Sequence, residues 1–172
     1  MKSQAALNAT PTQELDIYVF GSGESGELGL GPKTVDGNQP TEVKRPRLNK
    51  LLDAKTVGIV QIAVGGMHCV ALNREGQILT WGVDDEGALG RDTSWEAPTR
   101  DVDADSDSGD DDVDLSPKES TPTAIPKEFF GGEIFVQVAA TDSASFALTN
   151  SGSVYGWGTF RVSWSCSFEV VC

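Results

Sequence analysis

The sequence contains an internal repeat. Residues 60–82, VQIAVGGMHCVALNREGQILTWG, align without gaps with residues 136–158, VQVAATDSASFALTNSGSVYGWG, and eight of the 23 positions are identical. The end of the same unit occurs earlier, because residues 17–29, IYVFGSGESGELG, match residues 78–90, ILTWGVDDEGALG. Self-similarity at this spacing indicates that the fold is built from structurally similar units.

Within one unit, short apolar runs alternate with turns. Residues 59–64, 69–72 and 78–81 are mostly apolar, with β-branched and aromatic side chains, and the segments between them contain glycine and polar residues. Runs of this length bounded by turn residues predict strands. Antiparallel strands repeated with an aromatic residue at a fixed place predict an all-β fold, a β-propeller of which this chain holds about two and a half blades. A β-sandwich is the alternative, and the regular repeat argues against it.

An acidic insertion interrupts the repeat. The aromatic residue of each unit recurs at Phe20, Trp81 and Trp157, at spacings of 61 and 76 residues, and the longer spacing contains eight aspartates within 14 residues. These are Asp101, Asp103, Asp105, Asp107, Asp110, Asp111, Asp112 and Asp114. Such a run of like charges predicts a disordered insertion, placed at residues 101–117. The remaining chain divides into a polar N-terminal tail at 1–15, repeats at 16–161, and a tail at 162–172 that lacks the pattern.

Charge and hydropathy exclude several classes of protein. The chain has 13 lysines and arginines against 26 aspartates and glutamates, a net charge of −13. It therefore lacks the basic footprint that general nucleic-acid binding requires, and the expected partner is a basic protein. No apolar run reaches the roughly 18 residues that a membrane-spanning helix needs, so no membrane partner is predicted.

A glycine pattern typical of nucleotide loops occurs directly after an apolar run. Residues 21–26, G-S-G-E-S-G, satisfy G-x-G-x-x-G. In dinucleotide-binding proteins a helix must follow, since its N-terminus faces the pyrophosphate. Gly29, Gly31 and Pro32 would each break that helix. The pattern is therefore interpreted as the turn of the repeat, and no cofactor is predicted.

No catalytic or metal-binding set of residues is evident. Asp103, Asp105, Asp107 and Asp114 match four positions of a calcium-binding EF-hand loop, but the glycine that makes its sharp turn is displaced to residue 109. His68 and Cys69 are neighbours on a predicted strand, so they point to opposite faces and cannot act together. We expect His68 to form a hydrogen bond within its turn and Cys69 to lie in the core. The recurring Phe20, Trp81 and Trp157 are expected to pack between blades.

Two short patterns suggest regulation. Ser108 is followed by G-D-D and Ser116 by P-K, which resemble acidic-directed and proline-directed kinase sites. Both serines are predicted phosphorylation sites. Residues 44–47, K-R-P-R, fit a minimal nuclear-import pattern, a weak signal inside the repeat.

The stretches GSGESGELGLG, VQIAVGGMHCVAL and WGVDDEGALGRDT together resemble the regulator of chromosome condensation family, over residues 16–161. The match is closest to its nuclear members, which are guanine-nucleotide exchange factors of the Ran GTPase. The resemblance implies a seven-bladed propeller that supports nucleocytoplasmic transport and chromosome organisation. One face would bind Ran and the other would dock on histones and chromatin. The protein would lie in the nucleus, and the alternative location is the cytoplasm.

The resemblance also implies site residues. Asp142 falls where the family carries an acidic residue important for exchange, and Glu24, in the first glycine-rich loop, is a second candidate for the Ran-binding face. An exchange factor does no covalent chemistry; it accelerates nucleotide release by binding the empty GTPase better than the loaded one. The alternative interpretation of Asp142 is a turn-forming residue that bonds its own backbone.

Three departures from the family pattern lower the activity expected of this chain. It holds too few repeats to close a ring, the hairpin that family members insert into Ran is replaced by residues 162–172, and no basic tail precedes residue 16. We therefore interpret the chain as an N-terminal fragment that is inactive in exchange by itself. The alternative is a propeller that serves as a protein-binding adaptor without exchange activity.

Overall fold

The computed structural model describes residues 8–35, 37–97 and 114–160. These residues form three antiparallel sheets. The first sheet contains β1 (Tyr18–Ser22) and β2 (Glu42–Leu48); the second contains β3 (Ile59–Val64), β4 (His68–Asn73), β5 (Ile78–Gly82) and β6 (Thr123–Ala124); the third contains β7 (Phe135–Ala140), β8 (Ala144–Thr149) and β9 (Val154–Gly158). The only α-helix among the described residues is α1 (Pro117–Ser120), and short 3-10 turns span Lys50–Leu52, Asp85–Gly87 and Lys127–Phe130.

The predicted strands of the central unit are confirmed. β3, β4 and β5 cover the three apolar runs and pair in that order, and β6 adds an outer strand after the acidic insertion. The third sheet has the same arrangement as β3, β4 and β5 of the second sheet. Both sheets also have a register shift immediately after the first residue of their first strand, at Ile59 in β3 and at Phe135 in β7. The all-β fold of incomplete propeller blades is therefore confirmed.

The apolar core lies between neighbouring sheets. β7 packs against β3 and β4. One cluster fills this space, with Val60, Val70, Leu72, Ile78, Ile125, Phe135, Val138 and Ala147 as its buried members. A second cluster joins the first and second sheets, with Ile17, Leu52, Ile59, Cys69, Ala71, Leu79 and Trp81. Each sheet therefore obtains its buried surface from its neighbour.

The repeated aromatic residue links successive blades by one recurring contact. The indole Nε1 of Trp81 donates to the carbonyl of Glu27 at 3.0 Å, and that of Trp157 donates to the carbonyl of Ala88 at 2.9 Å. Glu27 and Ala88 occupy the same position of successive repeats. We call this contact the carbonyl latch. It confirms that the tryptophans pack between blades.

Phe20 is an exception to this prediction. Its side chain is 66% exposed, so the expectation that it packs between blades was wrong. Trp81 and Trp157 each contact the loop of the preceding sheet, whereas β1 belongs to the first of the described sheets and has no such loop beside it. The periodicity correctly assigned Phe20 to the repeat position of Trp81 and Trp157, but it could not show whether a neighbouring loop is present for the side chain to contact.

The C-terminal end of the acidic insertion lies against the segment that follows β5. Most of the predicted insertion lies outside the described residues, which resume at Asp114 with a buried Leu115. Lys118 in α1 forms an ion pair with Asp92 at 3.1 Å. Glu119 in the same helix accepts the backbone N–H of Asp84 at 3.0 Å. The last residues of the predicted insertion are therefore part of the folded blade.

A glutamine side chain forms two hydrogen bonds with the backbone of the next sheet, at the interface between the second and third sheets. The Gln61 side-chain amide donates to the Val138 carbonyl at 3.2 Å, and its oxygen accepts the Val138 N–H at 3.1 Å. The side chain thus satisfies both backbone polar groups of a residue in the next sheet. A buried strand residue needs such partners, and this contact fixes how β3 and β7 are aligned.

Candidate functional site

Several turns gather at one end of the sheets. His68 pairs with Gly82 and Ala144 pairs with Gly158, so the turns before β4 and β8 lie beside the ends of β5 and β9. The connection between β1 and β2 begins at the corresponding end of the first sheet, where Ser22 pairs with Glu42. We call this end, with residues 23–29, 65–67, 83–90 and 141–143, the loop face.

Asp142 is exposed on the loop face and its backbone joins two blades. The Asp142 carbonyl accepts the N–H of Gly66 at 3.0 Å. A Cβ on Gly66 would displace the exposed Asp142 carboxylate and lie 3.0 Å from the Asp142 carbonyl oxygen, so glycine at position 66 favours this close approach. No described residue forms a hydrogen bond with that carboxylate. The turn is therefore held by backbone contacts, and the alternative in which Asp142 bonds its own backbone is not what is observed.

Asp142 lies in an open depression that we call the acidic depression. It is lined by Asp85, Glu86, Thr141, Asp142, Ser143 and Thr159. The hydroxyl of Thr159 donates to the carboxylate of Glu86. Three lining residues are acidic and none is basic, so the depression attracts cationic groups of a partner.

Glu86 has a left-handed backbone, with φ of 48°. A residue with a side chain adopts this conformation only where its surroundings impose it, at a cost on the order of 1 kcal/mol. Here the following Gly87 and the contact with Thr159 hold the loop and direct the Glu86 side chain toward the third sheet. Sequence reasoning missed Asp85 and Glu86; the available signal was their place in a glycine-rich loop that recurs between repeats.

Glu24 occupies the corresponding loop of the first sheet. It aligns with Asp85 at the 61-residue spacing and its side chain is exposed. It does not line the acidic depression. The structure therefore brings Asp142 together with Asp85 and Glu86, and places Glu24 on the loop of another blade.

His68 and Cys69 point in opposite directions, as their adjacency on a strand predicts. The buried His68 Nε2 lies 2.9 Å from the Ser145 hydroxyl of the third sheet. Cys69 packs toward the first sheet, with its sulfur 3.9 Å from the Glu27 carbonyl. The expectation that His68 bonds within its own turn was wrong, since its partner lies 77 residues away. The expectation of a core position for Cys69 is confirmed.

Burial shifts the pKa of both side chains toward the neutral form. Burial and the nearby Glu27 raise the pKa of the Cys69 thiol to about 12, so little thiolate forms near neutral pH. Burial lowers the pKa of His68, and the aspartates at positions 84, 142 and 85 oppose that shift. Both residues therefore have a structural role at the joints between blades.

The lowered pKa of His68 predicts a pH dependence of stability. The unfolded chain takes up the proton first as the pH falls, so the free energy of unfolding should decrease from pH 7 downward and level off below the folded pKa. His68→Gln should remove this component. Urea unfolding of both proteins between pH 7 and 5 measures it, and an identical pH dependence in the two would contradict the assignment. The chain has one histidine, so its NMR titration gives the folded pKa directly.

The predicted phosphorylation sites fall in different settings. Ser108 lies outside the described residues. Ser116 is half-buried immediately before α1, and its hydroxyl oxygen is shielded from solvent with no hydrogen-bond partner among the described residues. A phosphate at Ser116 would require α1 to move away from this position. Modification of both serines stays a prediction.

The described residues contain no group of three or more histidine, cysteine or acidic side chains that could hold a metal ion. The glycine-rich segment after β1 forms turns rather than a helix, which agrees with its interpretation as the turn of the repeat. In the same described segments, no helix is long and apolar enough to cross a membrane.

Comparison with known proteins identifies the repeats. A family model described as the regulator of chromosome condensation (RCC1) repeat matches residues 16–72, and a second model of that description matches residues 59–88 and 135–160. The chain is 50% identical over 154 residues to the guanine nucleotide exchange factor SRM1 of Saccharomyces cerevisiae, covering 87% of this chain and 31% of that protein. It is 46% identical over 166 residues to protein RCC1 of Candida albicans, covering 91% and 34%.

Solved structures agree with this relationship. The crystal structure of Prp20p from Saccharomyces cerevisiae, whose description names its binding properties to Gsp1p and histones, superposes with a TM-score of 0.68 at 42% identity, covering 94% of this chain and 33% of that one. Yeast RCC1 (Prp20) bound to Kap60 superposes with a TM-score of 0.71 at 43% identity, covering 91% and 31%. The chain spans about a third of the length of these relatives. The sequence and the fold show that the chain belongs to the family of regulator of chromosome condensation (RCC1) repeat proteins.

Proposed function

We propose that this chain functions in guanine-nucleotide exchange on the Ran GTPase and that the loop face is part of the surface that contacts Ran. The observation that carries this proposal is the 50% identity to a guanine nucleotide exchange factor across most of the chain. The backbone of Asp142 is bonded to Gly66 of the neighbouring blade, and its exposed carboxylate gives that surface a negative group. A nuclear location follows from the same proposal.

Nucleotide exchange requires no covalent chemistry from this surface. A factor that binds nucleotide-free Ran more tightly than loaded Ran lowers the barrier to nucleotide release. Asp142, Asp85 and Glu86 would contribute by attracting basic side chains of Ran, because opposite charges guide and orient association. The loops that carry these residues are each tied to a neighbouring blade, by the Gly66 N–H bond to the Asp142 carbonyl and by the Thr159 bond to Glu86.

We expect the 172-residue polypeptide to be inactive by itself. The first sheet has two described strands where the second has four, and Tyr18 and Phe20 of β1 are largely exposed beside it. Exchange depends on a surface assembled from several blades, and the described residues supply one side of it. A polypeptide with open sheet edges also tends to associate nonspecifically.

Release of labelled GDP from purified Ran tests this proposal. The 172-residue polypeptide should leave the rate unchanged, and a protein continued past residue 161 through the remaining repeats should accelerate it. Acceleration by both would show that exchange does not need the additional blades. If neither accelerates release while circular dichroism shows both to be folded, the adaptor alternative replaces exchange.

In the longer protein, Asp142→Asn should reduce the acceleration about tenfold, because it removes one charged contact at a desolvated interface. Glu24→Gln should have a smaller effect. Glu133→Gln, at an exposed acidic residue just before β7, is the matched control and should behave as the unmodified protein. Equal rates for Asp142→Asn and the control would remove Asp142 from the proposed surface.

We further propose histones as a second class of partner. The polypeptide carries a net charge of −13, and eight aspartates fall within 14 residues of the insertion. Such a charge distribution attracts a basic protein at low ionic strength. The Prp20p structure described for its binding to histones supports this proposal by relationship.

A further inference from the structure

The short helix α1 lies between the loops of two neighbouring sheets. On one side, its last residue, Ser120, is 1% exposed, and its carbonyl accepts the N–H of Gly31 at 2.9 Å. A Cβ on Gly26 would lie 2.8 Å from the Ser120 Cα, so glycine allows this loop to approach the helix closely. On the other side, the carboxylate of Glu119 accepts the N–H of Asp84 at 3.0 Å. The helix therefore contacts loop-face segments of both the first and the second sheet.

Asp84 organises the loop at 84–89, which carries two of the acidic residues of the acidic depression. One oxygen of its carboxylate accepts the N–H of Leu89 at 2.9 Å, and the other accepts the hydroxyl of Thr93 at 2.6 Å. The side chain thus holds the loop from within, while Glu119 binds the backbone of the same residue from outside. A hydrogen bond to a charged acceptor contributes more than one between neutral groups. The carboxylate of Glu119 is therefore a substantial restraint on this loop.

A second contact between α1 and the second sheet is weaker. Lys118 and Asp92 form an ion pair at 3.1 Å, but their side chains are 43% and 72% exposed. An ion pair at this exposure contributes little to stability. Glu119 is only partly exposed and binds a backbone group, so it is the residue of α1 that we expect to hold the loop.

We propose that Glu119 is a positioning residue for the loop at 84–89, and that α1 thereby fixes this loop relative to the glycine-rich loop of the first sheet. The inference rests on the proposed contact between the loop face and Ran. Glu119 does not contact the partner; it acts through Asp85 and Glu86. A loop that is in place before binding spares the partner the entropic cost of ordering it. The segment that ends the acidic insertion thus supports the partner-binding surface.

Amide hydrogen exchange of the 172-residue chain tests the positioning step by itself. Glu119→Ala removes the acceptor and should accelerate exchange of the Asp84 amide at least about tenfold. Glu119→Gln keeps an oxygen acceptor and should stay within about threefold of the unmodified chain. Glu128→Ala removes the same charge at an exposed position of the 3-10 turn Lys127–Phe130 and should change nothing.

Two results of this experiment would overturn the proposal. One is equal exchange of the Asp84 amide in the Glu119→Ala and Glu128→Ala variants, since the carboxylate would then not restrain the loop. The other is equal acceleration of the β4 amides by Glu119→Ala, because that would indicate general loss of the fold and not release of one loop.

Exchange kinetics on Ran, measured with the protein continued past residue 161, test what the positioning achieves. Glu119→Ala should raise the Ran concentration at half-maximal rate about threefold and leave the maximal rate within about twofold, because a loosened loop weakens association. Glu119→Gln should restore the unmodified value. In a background carrying Asp85→Asn and Glu86→Gln, Glu119→Ala should have no further effect, since it acts through these two residues. A full additional effect in that background would reject the proposal.

These measurements distinguish failure of the inference from failure of the proposed function. If the continued protein does not accelerate nucleotide release, the proposed function is wrong, and exchange of the Asp84 amide alone decides whether α1 holds the loop. If it accelerates release and Glu119→Ala leaves the half-maximal concentration unchanged, the proposed function stands and the positioning role of Glu119 is wrong.

Discussion

Replacing Trp81 with alanine is expected to lower the free energy of unfolding by about 3–5 kcal/mol, the range for loss of a large buried aromatic side chain. The indole is 1% exposed within the cluster that joins the first and second sheets. Its removal leaves a cavity at that joint and deletes the donor of the carbonyl latch to Glu27. Urea unfolding followed by far-UV circular dichroism measures the loss.

Two further variants identify the source of the effect. Trp81→Phe keeps an aromatic ring and loses the N–H, so the expected cost is about 1–2 kcal/mol. Trp95→Ala changes a partly exposed tryptophan outside both core clusters and should cost less than about 0.5 kcal/mol. A loss for Trp81→Ala no larger than for Trp95→Ala would mean that the joint does not contribute to stability.

Gly65→Ala is expected to lower the free energy of unfolding by about 2–3 kcal/mol, through overpacking. A Cβ at this position would lie well within 3.0 Å of the His68 ring and of the Thr141 carbonyl oxygen. The carbonyl belongs to the backbone, and the ring is buried and bonded to Ser145, so neither can yield cheaply. The substitution should therefore separate the two turns that carry the loop face.

Gly131→Ala provides the control for this variant. Gly131 has φ of 61° and no atom within 4 Å of its added Cβ, so alanine there adds backbone strain without a collision. We expect a cost of about 1 kcal/mol. NMR provides an independent check, since Gly65→Ala should shift the ring signals of the single histidine and Gly131→Ala should not. Equal costs and unshifted signals in both would contradict the proposed contact.

The strands could be predicted because their pattern is local. The runs at 59–64, 69–72 and 78–81 are bounded by turn residues, and the strands of the repeat at 136–158 lie at matching positions. Cys69 could be assigned to the core from its place in such a run. The family resemblance then implied a propeller, which the three sheets and the comparisons confirm.

The contacts between blades could not be predicted, because the two partners are distant in the sequence and their contact is known only once both have been positioned in the fold. His68 looks like a turn residue until Ser145 is brought beside it, and Gln61 looks like a solvent-facing residue until it bonds Val138. Phe20 is the opposite case: the repeat predicts a contact with a preceding blade, but its side chain is exposed. The acidic depression was missed for a related reason, since Glu86 and Asp142 belong to different repeats.

The carbonyl latch has a consequence for how such proteins change in evolution. The acceptor is a main-chain oxygen, at Glu27 in one repeat and at Ala88 in the next, and the neighbouring Gly29 and Gly90 leave room for the indole. The side chains at the acceptor positions therefore do not specify which tryptophan is bound. This one contact is chemically the same at successive blade interfaces, so duplication or loss of an entire blade preserves a compatible acceptor for each tryptophan.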